Sequence, residues 1–202
     1  MGFELEVNAQ THLRLLGPED APSLARTIDR DREHLRAWLP WVDDSRGADT
    51  PRRHIELWAH GFARGSGFSV GIFHETLLAG VIGFHGFDVL NRVTSIGYWL
   101  GKPFTGRGLM TGSVAALLDY AVFDRRMNRI FIRCATGNRP SRAIPERLGF
   151  VHEGTQREAE WLYDHFVDLE LYSILAREWH DLRSRWRGEE RSDTTAKRQN
   201  HL

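Results

Sequence analysis

The chain has a single cysteine, Cys134, and only two lysines, Lys102 and Lys197, among 202 residues. One thiol excludes a disulfide framework and a four-cysteine metal site. An excess of either charge is also missing: 27 Lys+Arg stand against 27 Asp+Glu, a formal net charge of zero with His neutral. That balance argues against nucleic acid or an anionic membrane surface as partner, because both demand a clear positive excess. Long hydrophobic runs are absent too. The best candidate, residues 114–123, is broken by Asp119 and falls far short of the ~20 apolar residues of a bilayer span. The opening Met1-Gly2-Phe3-Glu4-Leu5-Glu6 has no basic region before an apolar run, so no signal peptide is expected and the cytoplasm is the expected compartment.

What is present suffices for a core. Hydrophobic residues make up 41% of the chain and seven are tryptophan, which excludes a disordered chain and suits one domain, assigned to residues 1–180. The 25 arginines read mainly as the bias of a GC-rich genome. From residue 181 the chain turns polar without an apolar period, and residues 181–202 are expected to form a disordered tail.

Along the chain, residues 12–16 read as a short strand, with helices over 21–31 and 32–40 and a helix start at Thr50-Pro51. The period then changes. Residues 68–73, 78–87 and 93–100 read as three antiparallel strands joined by short turns. A glycine-bearing loop (102–108), an amphipathic helix from Leu109 to about Asp124, a strand over 129–135 and a short helix over 140–148 follow. Phe150-Val151 and the alternating residues 165–175 supply the last strands. The order predicts an α/β protein with a mixed sheet flanked by helices.

The unit with chemistry in it is Ile96-Gly97-Tyr98-Trp99-Leu100, the loop to Arg107, then Gly108-Leu109-Met110-Thr111. A glycine-bearing loop that opens a helix presents free amides and the positive helix end, a site for phosphate or pyrophosphate. A plain turn has the same local signature. Two familiar phosphate motifs are excluded: Thr111 stands where a dinucleotide fingerprint needs its third glycine, and no Gly-Lys-Ser/Thr ending is present.

Downstream stand Asn138-x-x-Ser141, Leu148-Gly149-Phe150 with Glu153-Gly154, and Tyr172-Ser173-Ile174-Leu175 with Glu178-Trp179. Together with Ile96 to Leu100 and the loop Thr105-Gly106-Arg107-Gly108-Leu109-Met110, this text resembles a GCN5-related N-acetyltransferase (GNAT) of the RimJ/RimL-like, ribosomal-protein N-terminal branch. The resemblance spans about residues 10 to 180. It implies a GNAT fold, a mostly antiparallel mixed sheet whose fourth and fifth strands splay apart, with acetyl-CoA as co-substrate in the gap and no metal. The pantetheine would pair with the strand edge at Trp99 and Leu100. The pyrophosphate would sit on the amides of Thr105, Gly106, Arg107, Gly108, Leu109 and Met110. The acceptor would be a protein N-terminus or, alternatively, a small amine; a catalytically silent acyl-CoA-binding module is a third reading. The resemblance is also compatible with a homodimer.

The sequence departs from the family pattern in three places. Thr105 replaces a long polar residue, Ser95 replaces a glutamate, and Pro145 stands where many relatives carry a tyrosine that protonates the departing thiolate. Acetyl transfer to an amine needs the amine deprotonated, the thioester oxygen stabilised and the thiolate protonated. Ser141 is then the candidate proton donor, with capping of its own helix or contact with CoA as other roles. Asn138 is expected to bond pantetheine amides or to serve the turn before Pro140. Glu160 is the candidate base; Glu158, two residues away, is expected to point the same way on a strand. His85 and His165 are further candidate bases. Cys134 is expected to behave as a small buried hydrophobe rather than form an acetyl-enzyme. Trp38, Pro40 and Trp41 would wall the acceptor pocket or pack in the core, and Arg107, Arg139, Arg142 and Arg147 stand where CoA phosphates could meet them.

Overall fold

Alternate residues of the strands feed two separate cores, one on each face of a sheet. Leu13, Val70, Ile72, Ile82, Ile96 and Ile130 are buried on one face, and Phe73, Leu78 and Val81 on the other. A period of two along a strand produces this division whenever both faces are covered. The computed structural model describes residues 2–47 and 49–183.

Eight strands form the sheet: β1 (Glu4–Asn8), β2 (Thr11–Arg14), β3 (Phe68–His74), β4 (Leu77–Asp88), β5 (Val93–Leu100), β6 (Arg129–Ala135), β7 (Val151–Leu162) and β8 (His165–Leu175). Their order is β1-β2-β3-β4-β5-β6-β8-β7. Every neighbouring pair is antiparallel except β5 and β6, which run parallel. Helices α1 (Ala21–Arg30), α2 (Arg32–Arg36) and α3 (Asp49–Ala63) cover the face of Leu78 and Val81. Helices α4 (Leu109–Asp119) and α5 (Arg139–Arg147) cover the opposite face. α4 runs on through one wider π-type turn, Tyr120–Asp124, closed by the Arg125 amide on Tyr120 O.

The feature that positions the site is the failure of β5 and β6 to stay paired. They share a ladder only over Val93–Arg129, Thr94–Ile130 and Ser95–Phe131. β5 remains bonded to β4 as far as Leu100 opposite Gly80, so from Ile96 onward its other edge is open. An unpaired edge presents a row of backbone donors and acceptors to whatever lies beside it.

Two strands differ from the expectation. β1 precedes the first expected strand, so the splayed pair is the fifth and sixth in chain order. β7 is a full 12-residue strand rather than a fragment at Phe150-Val151. It carries little apolar alternation because it is an edge strand, exposed along most of its length, and β8 alone defines it. A helical segment over residues 176–183 closes the described chain. Its Trp179 is buried, with Nε1 donating to Asp119 Oδ1 at 2.9 Å. The start of the expected tail at 181 is therefore helical as far as 183, and the rest of that tail lies outside the described residues. Among the described residues no helix is long and apolar enough to cross a membrane.

Candidate acetyl-transfer cleft

The gap between β5 and β6 opens into a cleft of about 2540 Å³. Its first wall is the loop after β5. A short 3₁₀ turn, Lys102–Phe104, is closed by Thr105, whose amide and hydroxyl both donate to Lys102 O (3.3 and 2.8 Å). The Thr105 amide is therefore already used, which corrects the expected amide cradle; the unpaired stretch begins at Gly106. Gly106 and Gly108 have φ of 73° and 77°, a left-handed conformation that costs a residue with a Cβ about 1–2 kcal/mol. Gly108 caps α4 in that conformation. The first helical amide to find an acceptor is Gly112, on Gly108 O at 3.0 Å. The amides before it, at the positive end of α4, face the cleft, the arrangement that binds an anion. Arg107 and Arg147 line the same wall, and Arg147 donates to Thr111 Oγ1 at 2.7 Å. Arg139 and Arg142 do not line it; Arg142 instead donates to Tyr172 OH (3.2 Å) and Thr136 O (3.1 Å).

The second wall is the start of α5. Asn138 caps it, its Oδ1 accepting the Ser141 amide at 3.2 Å. Of the two roles open to Asn138, its side-chain oxygen thus performs the turn chemistry, and Asn138, not Ser141, is the cap. The Ser141 hydroxyl is thus not spent on the cap. That hydroxyl donates weakly to the Tyr98 phenol at 3.4 Å, while Tyr98 OH donates to Ser141 O at 3.1 Å. Burial pushes the Tyr98 phenol well above its ordinary range. Cys134 lines the cleft beside Ser141, its thiol pushed up to about 11 by burial. A thiol so reluctant to ionise is a poor nucleophile at neutral pH.

The third wall comes from strand faces and the segment after α2. Glu160, Arg133, His85 and Ser95 line the cleft, as do Trp38, Pro40 and Trp41. Burial raises the Glu160 carboxyl above its usual range, against the pull of the Arg133 guanidinium. Among the described residues the Glu160 carboxylate has no hydrogen-bonding partner, so it is available to a ligand. Glu158 is different. The pairing jumps from Gln156–Leu169 to Glu160–Val167, and Glu158 sits in the resulting bulge at φ 49°, its amide donating to Asp168 Oδ1 at 2.7 Å. The two carboxylates therefore do not share a direction, which corrects the expected period of two, and Glu158 is exposed outside the cleft. His165 is likewise outside it, paired with Asp164 at 2.7 Å.

A bridge spans the cleft beside Leu39. Tyr163 OH donates to Leu39 O at 2.6 Å, and Arg36 lies 3.9 Å over the Tyr163 ring. The β7–β8 turn is thereby fastened to the chain after α2, across 124 residues of sequence. Arg133, His54 and Trp58 carried no functional signal in the sequence; each reaches the site through contacts between distant segments. Among the described residues no cluster of three or more His, Cys, Asp or Glu side chains is grouped to hold a metal.

Residues 10–151 match the acetyltransferase (GNAT) domain family. The chain belongs to the GNAT acetyltransferases. It is 38% identical over 178 residues to the putative ribosomal N-acetyltransferase YdaF of Bacillus subtilis (strain 168), covering 88% of this chain and 97% of that one. It is 27% identical to the ribosomal-protein-serine acetyltransferase of Escherichia coli (strain K12), covering 84% and 94%. The RimL ribosomal L7/L12 α-N-protein acetyltransferase, solved in complex with coenzyme A, superimposes with a TM-score of 0.82 at 26% identity, covering 86% of this chain and 98% of that one. These relatives set this GNAT protein in the RimJ/RimL-like branch, and the enzyme is an acetyl-CoA-dependent N-acetyltransferase.

Proposed function

We propose that this acetyltransferase modifies the α-amine of a protein N-terminus by direct attack on acetyl-CoA in a ternary complex. The observation that carries the reading is the cleft itself. The strand edge and the amide loop line one side of it, and Glu160, Arg133, Trp38 and Trp41 line another, so cofactor and acceptor have separate walls. The kinship with ribosomal-protein acetyltransferases points the same way.

In this reading the open edge from Ile96 to Leu100 pairs with the pantetheine at Trp99 and Leu100, and the amides of Gly106, Arg107, Gly108, Leu109 and Met110 receive the pyrophosphate. Glu160 takes a proton from the amine through water. Its raised pKa suits that role, because a base works best when its pKa approaches the working pH. An α-amine of pKa ~8 is already partly neutral, so no stronger base is needed. The nitrogen attacks the thioester carbon, the C–S bond breaks, and Ser141, in the first turn of α5, protonates the leaving sulfur. The positive end of α5 favours the thiolate as it forms.

Thiol release from acetyl-CoA tests the acceptor. Peptides with free N-termini are compared with the same peptides N-terminally blocked, and with polyamines, amino acids and aminoglycosides. Release with the free-ended peptides alone is the expected result. Release with small amines alone would replace the acceptor class, and coenzyme A binding without release on any acceptor would leave a silent binding module.

A further inference from the structure

β4 carries a bulge where it passes β5. The pairing runs Phe84–Ile96, then jumps to Phe87–Thr94, so His85 and Gly86 together stand opposite Ser95. Bulges of this kind turn a side chain out of the regular alternation and are common beside active sites. Here the bulge turns Phe87 onto the face of Phe84 and Ile82, while His85 keeps the face of Val81 and lines the cleft that holds Glu160 and Arg133. Its Nδ1 lies 3.1 Å from Ser95 Oγ.

The rest of the ring rests on Gly97. A Cβ built on Gly97 would lie 2.5 Å from both Cε1 and Nε2 of His85, and its nearest neighbours would all be atoms of that ring. Glycine at 97 is therefore a seat for the imidazole, and one whose occupant is a single side chain. Among the described residues Nε2 has no hydrogen-bonding partner, so Ser95 holds one ring nitrogen while the other, seated beside Gly97, is uncommitted. The charged and titratable groups on this side of the cleft are Arg133 on β6, Glu160 on β7 and His54 on α3. Desolvation by the cleft walls lowers the His85 pKa, and Arg133 lowers it further. The same guanidinium acts on Glu160, which places the imidazole and the carboxylate in one electrostatic neighbourhood.

We propose that His85 grips the acceptor amine, its Nε2 accepting a hydrogen bond from the attacking nitrogen while Nδ1 donates to Ser95 Oγ. Starting from the neutral amine, the C–N bond forms, the C–S bond breaks and one nitrogen proton passes through water to Glu160. The sulfur takes a proton from Ser141, whose hydroxyl is restored by a proton from water as Glu160 releases its own to solvent. The proton that stays on the new amide nitrogen is the one directed at His85, so the nitrogen lone pair is turned toward the thioester carbon. This role rests on acetyl transfer in the cleft, not on the acceptor being a protein N-terminus. Tested with whichever amine the wild-type enzyme acetylates, it stands or falls separately from the acceptor assignment.

The test is a kinetic cycle between positions 85 and 97. His85→Ala is expected to lower kcat/KM for the acceptor by about tenfold, the scale of one lost hydrogen bond to a reacting group, with KM for acetyl-CoA unchanged. His85→Gln, whose amide reaches toward the Nε2 position, recovers part of the loss. The acid limb of its pH profile becomes one proton shallower than the wild type's, because the imidazole no longer titrates while Glu160 is retained in both. Gly97→Ala, by displacing the ring, reproduces the His85→Ala defect in the wild-type background and adds nothing in the His85→Ala background. A His85→Ala enzyme within about twofold of wild type on the acceptor would overturn the proposal. So would a Gly97→Ala defect of equal size in both backgrounds, since the effect would then not pass through the imidazole.

Discussion

The two halves of the cleft are built by different means. In the proposed reading the cofactor half is a contiguous stretch, residues 99–110, whose working groups are a strand edge and backbone amides released by two left-handed glycines and one helix start. The acceptor half is assembled from side chains on β4, β5, β6, β7 and the segment after α2, held by a bulge in β4, a bulge in β7 and a bridge from Tyr163 to Leu39. Backbone recognition needs only that the chain fold locally. Side-chain recognition needs the whole sheet in register.

Substitutions should separate the halves cleanly. The largest effect is expected from Glu160→Gln. Loss of a positioned base should lower kcat by about a hundredfold, with KM for acetyl-CoA kept, and should remove from the pH profile the group whose carboxyl lies above the usual range. The sign follows from the raised pKa: the wild-type rate falls as the pH drops through that value and the carboxylate is protonated. Retention of the wild-type profile would mean that Glu160 is not the base. Next comes Gly108→Val. A β-branched residue forced to φ 77° costs about 1–2 kcal/mol, so KM for acetyl-CoA should rise by about tenfold, with the acceptor KM unchanged. Ser141→Ala should slow turnover by about tenfold; a change in cofactor affinity alone would make Ser141 a binding residue. A smaller change is expected from Tyr163→Phe, which removes the hydrogen bond to Leu39 O and should raise only the acceptor KM, by about threefold. Cys134→Ala should leave turnover within about twofold of wild type, since a thiol held near 11 takes no covalent part. Total loss of turnover there would revive an acetyl-cysteine.

The same division explains what the sequence revealed. The loop, the α4 start and Asn138-x-x-Ser141 are legible because their geometry is local: glycine permits φ above zero, and Asn caps a helix three residues on. Even there, the Thr105 amide is lost to Lys102 O, a turn closure that the residue type does not announce. The acceptor half is less legible. Glu158 and Glu160 look equivalent at a spacing of two, and only the bulge opposite Asp168 separates them. His85 has no distinguishing neighbour in sequence; Ser95 and Gly97, on the next strand, give it a fixed seat. β7 escaped because an edge strand with polar residues on both faces lacks the alternation that marks a half-buried one.

Titration of coenzyme A into wild type, Glu160→Gln and Gly108→Val, followed calorimetrically, tests the division most directly. The account predicts that Glu160→Gln keeps the wild-type affinity, whereas Gly108→Val weakens it by about tenfold. Wild-type affinity in Gly108→Val, or an equal loss in Glu160→Gln, would contradict a cofactor half built from backbone groups alone.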